Sequence, residues 1–185
     1  MRQAVLLLLL FAVGCSCEIR EPFLKLHKEF LQKTYNWVPA DNEASKYRDR
    51  EEAARAYLQE QRAVLNPYAI STRLKDDGFH WHKESFDFTS YDWVTVARKR
   101  GDCDDFMVLW ESILKYQGDV IRVTVRSTEG RGHAMLLFYP KGSGHVYLLS
   151  NVGVRGMAPK GEEDALIRLF YGEKTDCYVT YKGIE

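Results

Sequence analysis

The sequence predicts an α+β domain, with a helical N-terminal part and one helix packed on an antiparallel sheet. Three observations predict it. Apolar residues recur at helical spacing as far as Gln117. Beyond Gly118 they alternate with polar ones, and Gly130-Arg131-Gly132 and Pro140 to Gly144 separate the alternating stretches. Helices first and strands afterwards, joined by short turns, give separate layers rather than a βαβ repeat.

In order, Glu21 to Trp37 reads as a helix, with Phe23, Leu24, Leu26, Phe30 and Leu31 as its stripe. Pro39 to Asn42 is a break. Glu43 to Leu65 is a charged second helix that Asn66-Pro67 stops. Ile70 to Ser90 reads as irregular and aromatic, and Tyr91 to Arg98 as a short helix. Cys103 to Gln117 is the central helix, with Asp102 as N-cap, Gly118 as its stop, and Phe106, Trp110, Ile113 and Leu114 on one face. Val120 to Ser127, His133 to Tyr139 and His145 to Leu149 are strands. Leu166 to Tyr171 is a short helix and Cys177 to Tyr181 a last strand.

The 185 residues carry 26 Lys plus Arg against 26 Asp plus Glu, a net charge of +0 that excludes nucleic acid as the main partner. Eleven Tyr and four Trp suit a packed core and exclude general disorder. Residues 1–14 read as a signal peptide: Met1-Arg2-Gln3, then an apolar run from Ala4 to Val13 that is short for a bilayer span. Ala12-Val13-Gly14-Cys15 resembles a bacterial lipobox, which makes Cys15 the lipidated residue and residues 15–20 a lipidated tether. A plain secretory leader is the alternative; both readings export the domain, residues 21–185. Under the first, the membrane is a partner through the lipid anchor, on the periplasmic side in a Gram-negative cell. Cys17 and Cys177 form no regular disulfide framework with the rest.

Chemistry gathers at Gly101-Asp102-Cys103-Asp104-Asp105-Phe106 and at Gly132-His133-Ala134. A thiol in the first turn of a helix meets partial positive charge and free N–H groups, which favour a thiolate and can hold an oxyanion. An imidazole on a neighbouring strand can take and return the proton. Asp102, Asp104 and Asp105 oppose the thiolate. They either serve the helix dipole or hold a divalent cation such as Ca²⁺. A third group to orient His133 belongs at the end of the hairpin partner, where Ser150 and Asn151 both qualify.

Asp92-Trp93, the Gly101 to Phe106 block, Gly132-His133-Ala134 and Leu148-Leu149-Ser150-Asn151 together resemble the bacterial transglutaminase-like cysteine peptidases, near the periplasmic adhesin-releasing proteases. The resemblance runs from Tyr91 to Val152. It implies a papain-like core, Cys103 as nucleophile, His133 as base, and calcium at Asp102, Asp104 and Asp105, with no cofactor required. It also implies a protein or peptide substrate. The family has Asp where this chain has Ser150, so either Ser150 acts in its place or Asn151 does by a one-residue shift. Water as acceptor makes a peptidase or amidase; an amine makes a transglutaminase. Two rivals stand beside this reading: a catalytically degenerate binding module, and a peptidoglycan endopeptidase of the NlpC type.

The remaining candidates are blander. His80-Trp81-His82 has metal-pair spacing but reads as an aromatic segment. Trp93 and Trp110 read as core and His145 as exposed. Arg98-Lys99-Arg100 reads as a solvated helix end, or as a site for an acidic substrate or lipid headgroup.

Overall fold

The computed structural model describes residues 44–84, 89–127, 132–172 and 175–180. The signal peptide, Cys15, Cys17 and the Glu21 to Trp37 helix lie outside these residues. Among those described, no helix is long and apolar enough to cross a membrane.

After a 3-10 turn at Arg48–Arg50 come α1 (Glu51–Arg62) and α2 (Pro67–Asp76). Helix α2 occupies ground that the sequence reading left irregular. Asn66-Pro67 does end α1, but it also starts α2: the Asn66 side chain accepts from the Tyr68 N–H at 2.9 Å, and Pro67 sits at the first helical position. A short β1 (His80–Trp81) pairs in parallel with β2 (Arg100–Gly101), bracketing α3 (Asp92–Arg98). Next come α4 (Cys103–Leu114), β3 (Gly118–Ser127), β4 (Gly132–Pro140), β5 (His145–Ser150), β6 (Gly153–Pro159), α5 (Glu163–Tyr171) and β7 (Thr175–Thr180).

The main sheet is antiparallel with order β6-β5-β4-β3-β7. Strand β6 is an addition to the sequence reading, which its two glycines and terminal proline concealed. Gly118 is not the helix stop but the first residue of β3, where a Cβ would lie 2.1 Å from the Tyr139 carbonyl oxygen.

Strand alternation divides the core in two. On one face Ala134, Leu136, Phe138 and Leu149 pack with Phe106, Trp110 and Ile113 of α4 and with the other N-terminal helices. On the opposite face Met135, Leu137, Val146 and Leu148 pack with Leu166 and Ile167 of α5. Trp93 and Trp110 are buried, as expected. Glu111 of α4 accepts from Arg122 Nε of β3 at 2.7 Å, which ties the central helix to the sheet. Thus α4 delivers its first turn to the end of the sheet where β4 begins and β5 finishes.

Candidate active site

Helix α4 starts at a network of acids. Asp102 is its extended N-cap, and Asp102 and Asp105 form a capping box in which the Asp102 backbone N–H donates to Asp105 Oδ2 at 3.1 Å. Asp105 is fully buried; it also accepts from the Ser90 N–H at 2.7 Å and from Arg98. Burial pushes its pKa up, against the pull of Arg98 and these N–H groups. Gly101 has room for no side chain here, since a Cβ would lie 2.6 Å from Asp105 Oδ2.

Two sequence expectations change at this point. Arg98 is not a solvated helix end: its side chain is 6 % exposed and bridges Asp105 and Glu84, the latter at 2.6 Å. Asp105 lies outside the group of ligand atoms gathered at Asp102, Cys103 and Asp104, and its oxygens accept from Ser90, Arg98 and Asp102. Among the described residues, the groups that gather ligand atoms within 4.8 Å are Asp102, Cys103 and Asp104. Asp104 accepts from the Thr89 hydroxyl. Asp102 Oδ1 is buried without a hydrogen-bond partner. Burial first, then its hydrogen bond to Asp104, pushes the Asp102 pKa up to about 9. Burial, then the charge of Asp105, raises Glu84 to about 7. An orphaned carboxylate oxygen beside a second acid fits a hard, oxygen-seeking cation.

Cys103 occupies the first turn of α4, and its free thiol is half-buried. The backbone N–H of Ala134 faces the sulfur, so the thiol lies against the residue that follows His133. Burial pushes the thiol pKa up to about 11; Asp102 and Asp104 add to this, and the Ala134 and Cys103 N–H groups only partly offset it. The advantage expected of a helix N-terminus is therefore outweighed by desolvation and two acids.

His133 is the second residue of β4, opposite Val125 of β3. Its Nε2 lies 2.6 Å from Ser150 Oγ at the end of β5. Its ring lies 5.2 Å, centroid to centroid, from that of Tyr171 at the end of α5. Tyr171 donates its hydroxyl to Ser150 Oγ at 3.0 Å. Burial, and secondarily Arg155, lower the His133 pKa to about 4. Burial raises that of Tyr171, which also feels the charge of Cys103. Sulfur, imidazole and phenol thus share one neighbourhood, with the ring bonded to Ser150 and the thiol turned to a backbone N–H.

Asn151 does not take the ring-orienting position. It sits in the β5–β6 turn at φ 50°, a left-handed conformation that Asn tolerates. Its backbone oxygen accepts from Trp110 Nε1 at 2.7 Å, and its side-chain oxygen has no hydrogen-bond partner. No one-residue shift is needed, because Ser150 already reaches His133. His80, Trp81 and His82 are exposed, with His80 Nδ1 3.0 Å from the Gly78 carbonyl oxygen, and His145 is exposed too.

Sequence reading missed Tyr171, Arg155 and Glu84. Tyr171 follows β5 by a strand and a helix, and no motif marks it. Arg155 had a weak signal in the glycines at 153 and 156, which suggest an irregular strand.

No family model matches the chain, and no curated protein matches it significantly. Solved structures of Legionella pneumophila LapG are similar to it at 11% identity. The EGTA-treated form has a TM-score of 0.47 and the match covers 86% of this chain and 82% of that one. Another LapG structure and the calcium-bound form each have a TM-score of 0.45, covering 86% of this chain and 84% of theirs. At these scores the likeness says nothing about the chemistry of this chain.

Proposed function

We propose that this chain is an exported cysteine peptidase or amidase, anchored by lipid at Cys15, that cleaves an amide bond of a protein or peptide. Two observations support the reading: the Cys103 sulfur lies against the backbone N–H of Ala134, the residue after His133, and His133 Nε2 lies 2.6 Å from Ser150 Oγ. Because Nε2 is held by Ser150, Nδ1 is the nitrogen left to act as base. As the sulfur attacks the carbonyl carbon, the thiol proton passes to His133 and the carbonyl oxygen becomes an oxyanion. The Cys103 backbone N–H is suited to receive that oxyanion. Collapse expels the amine, which takes the proton from His133 and leaves a thioester. Water then attacks the thioester, with His133 again as base, and frees the acid and the thiol.

The raised thiol and lowered imidazole pKa values argue for a neutral resting pair rather than a thiolate–imidazolium pair. Asp102 and Asp104 would hold a calcium ion, whose charge would offset the two acids that oppose the thiolate. The second reading, a degenerate module that binds without cleaving, is favoured by the neutral Ser150 where the family carries an acid.

Alkylation separates the two. A thiol with a pKa of about 11 is about one part in 10⁴ ionised at neutral pH. Modification of Cys103 by iodoacetamide at neutral pH that is faster than this thiolate fraction allows, and slower in His133→Ala, is the expected result. Slow labelling that His133→Ala leaves unchanged, with or without calcium, would overturn the hydrolase reading. Stem-peptide release from purified cell wall would instead mark an NlpC-type activity.

A further inference from the structure

Strand β6 is the sheet edge nearest the site, and it is irregular at one place. Leu148 pairs with Gly156 while Leu149 pairs with Val154, which leaves Arg155 as the extra residue of a β-bulge. In a regular strand neighbours point to opposite faces. Here they do not. A Cβ on Gly156 would meet Leu166 and Phe170 of α5, so Gly156 faces that helix. The Arg155 guanidinium acts on the hydroxyl of Tyr171, in the same helix, and on His133. The bulge therefore turns Arg155 to the side of the sheet that holds the imidazole. Arg155 is exposed, and among the described residues no carboxylate forms an ion pair with it. An aimed, solvent-facing cation without an acid of its own suits an anionic ligand, and guanidinium geometry matches a carboxylate.

We infer that Arg155 selects substrates that carry a carboxylate beside the bond attacked by Cys103. This rests on the hydrolase reading above and supplies its substrate class. A carboxylate seated there would lie on the rim of the His133–Ser150–Tyr171 group, and its charge would favour the imidazolium formed during attack. The carboxylate has two sources, an acidic side chain or a free peptide terminus.

Two measurements test the inference. The first compares alkylation of Cys103 by iodoacetate and by iodoacetamide, mapped by mass spectrometry, in the full chain and in Arg155→Gln. The iodoacetate-to-iodoacetamide rate ratio is expected to fall about fivefold in Arg155→Gln and to be kept in Arg155→Lys. An unchanged ratio in Arg155→Gln overturns the proposal, even where peptides are cleaved. The second uses peptides with Glu or Gln at positions flanking the cleaved bond, and matched free-acid and amide peptides. A preference for either carboxylate that disappears in Arg155→Gln supports the inference and names the source. No preference, or one that survives the substitution, overturns it. If no peptide is cleaved, the hydrolase reading fails while the alkylation ratio still decides Arg155.

Discussion

His133 Nε2 lies 2.6 Å from Ser150 Oγ, and the same oxygen receives the hydroxyl of Tyr171 at 3.0 Å. The ring is thus oriented by a hydroxyl pair rather than by a carboxylate. A hydroxyl fixes the plane of an imidazole, but it gives little help to an imidazolium. Burial, and secondarily the charge of Arg155, leave His133 uncharged until its pKa of about 4 is approached.

Restoring a charge should therefore strengthen the site. In Ser150→Asp the ring pKa is expected to rise by about 1–3 units, followed by NMR titration of His133. Neutral-pH alkylation of Cys103 should speed up about tenfold or more. Ser150→Ala should slow it about fivefold, the worth of one hydrogen bond. A ring pKa unmoved by Ser150→Asp would show that Ser150 does not govern His133.

Asn151 should prove to be a turn residue. Asn151→Ala is expected to cost about 1 kcal/mol of stability, because Ala fits the left-handed region less well, while Asn151→Gly costs less. Neither should change the alkylation rate of Cys103. A loss of reactivity equal to that of His133→Ala, in a variant that still folds, would return Asn151 to the catalytic set.

The Arg98–Asp105 pair should behave as a buried structural bridge. Asp105→Asn is expected to cost about 3–5 kcal/mol in urea denaturation, because it removes the buried carboxylate that faces the guanidinium of Arg98. Gly101→Ala should cost about 1–3 kcal/mol by forcing Asp105 aside. A cost for Asp105→Asn below about 1 kcal/mol would match an exposed ion pair instead.

Asp102 gives a pH dependence of known sign. The unfolded carboxyl titrates near about 3.9, and the folded one at about 9. The folded protein binds the extra proton between these values, so stability is fullest below the lower and falls as pH rises towards the upper. His133 runs the other way: its folded pKa of about 4 lies below the unfolded value, so its contribution is lost as pH falls. Asp102→Asn should remove this fall between about pH 4 and about 9 and raise Tm at neutral pH in the absence of divalent ions. Calcium should raise the Tm of the parent chain, and more so at higher pH, but not that of Asp102→Asn. An equal calcium response in both would place any bound ion elsewhere.

Much of this architecture could be read before folding, and the reasons are local. Phe106, Trp110 and Ile113 recur at helical spacing, β3 alternates, and β4 and β5 are short apolar runs set between turns. Helix α2 escaped because Asn66-Pro67 marks a helix start as well as a stop, and the next helix decides which. Arg98 misled because charge near a helix end usually faces water, whereas its acid partners Glu84 and Asp105 flank it from two directions in sequence. Tyr171 and Arg155 reach His133 only through strand order and a bulge, which no periodicity records.

The order in which these parts leave the ribosome has its own consequence. The sulfur is made early, the ring follows with β4, and the phenol arrives near the end of the chain, on a helix that covers the far face of the sheet. An unfinished chain therefore carries Cys103 before β4, β5 and α5 have brought His133, Ser150 and Tyr171 to the same end of the sheet.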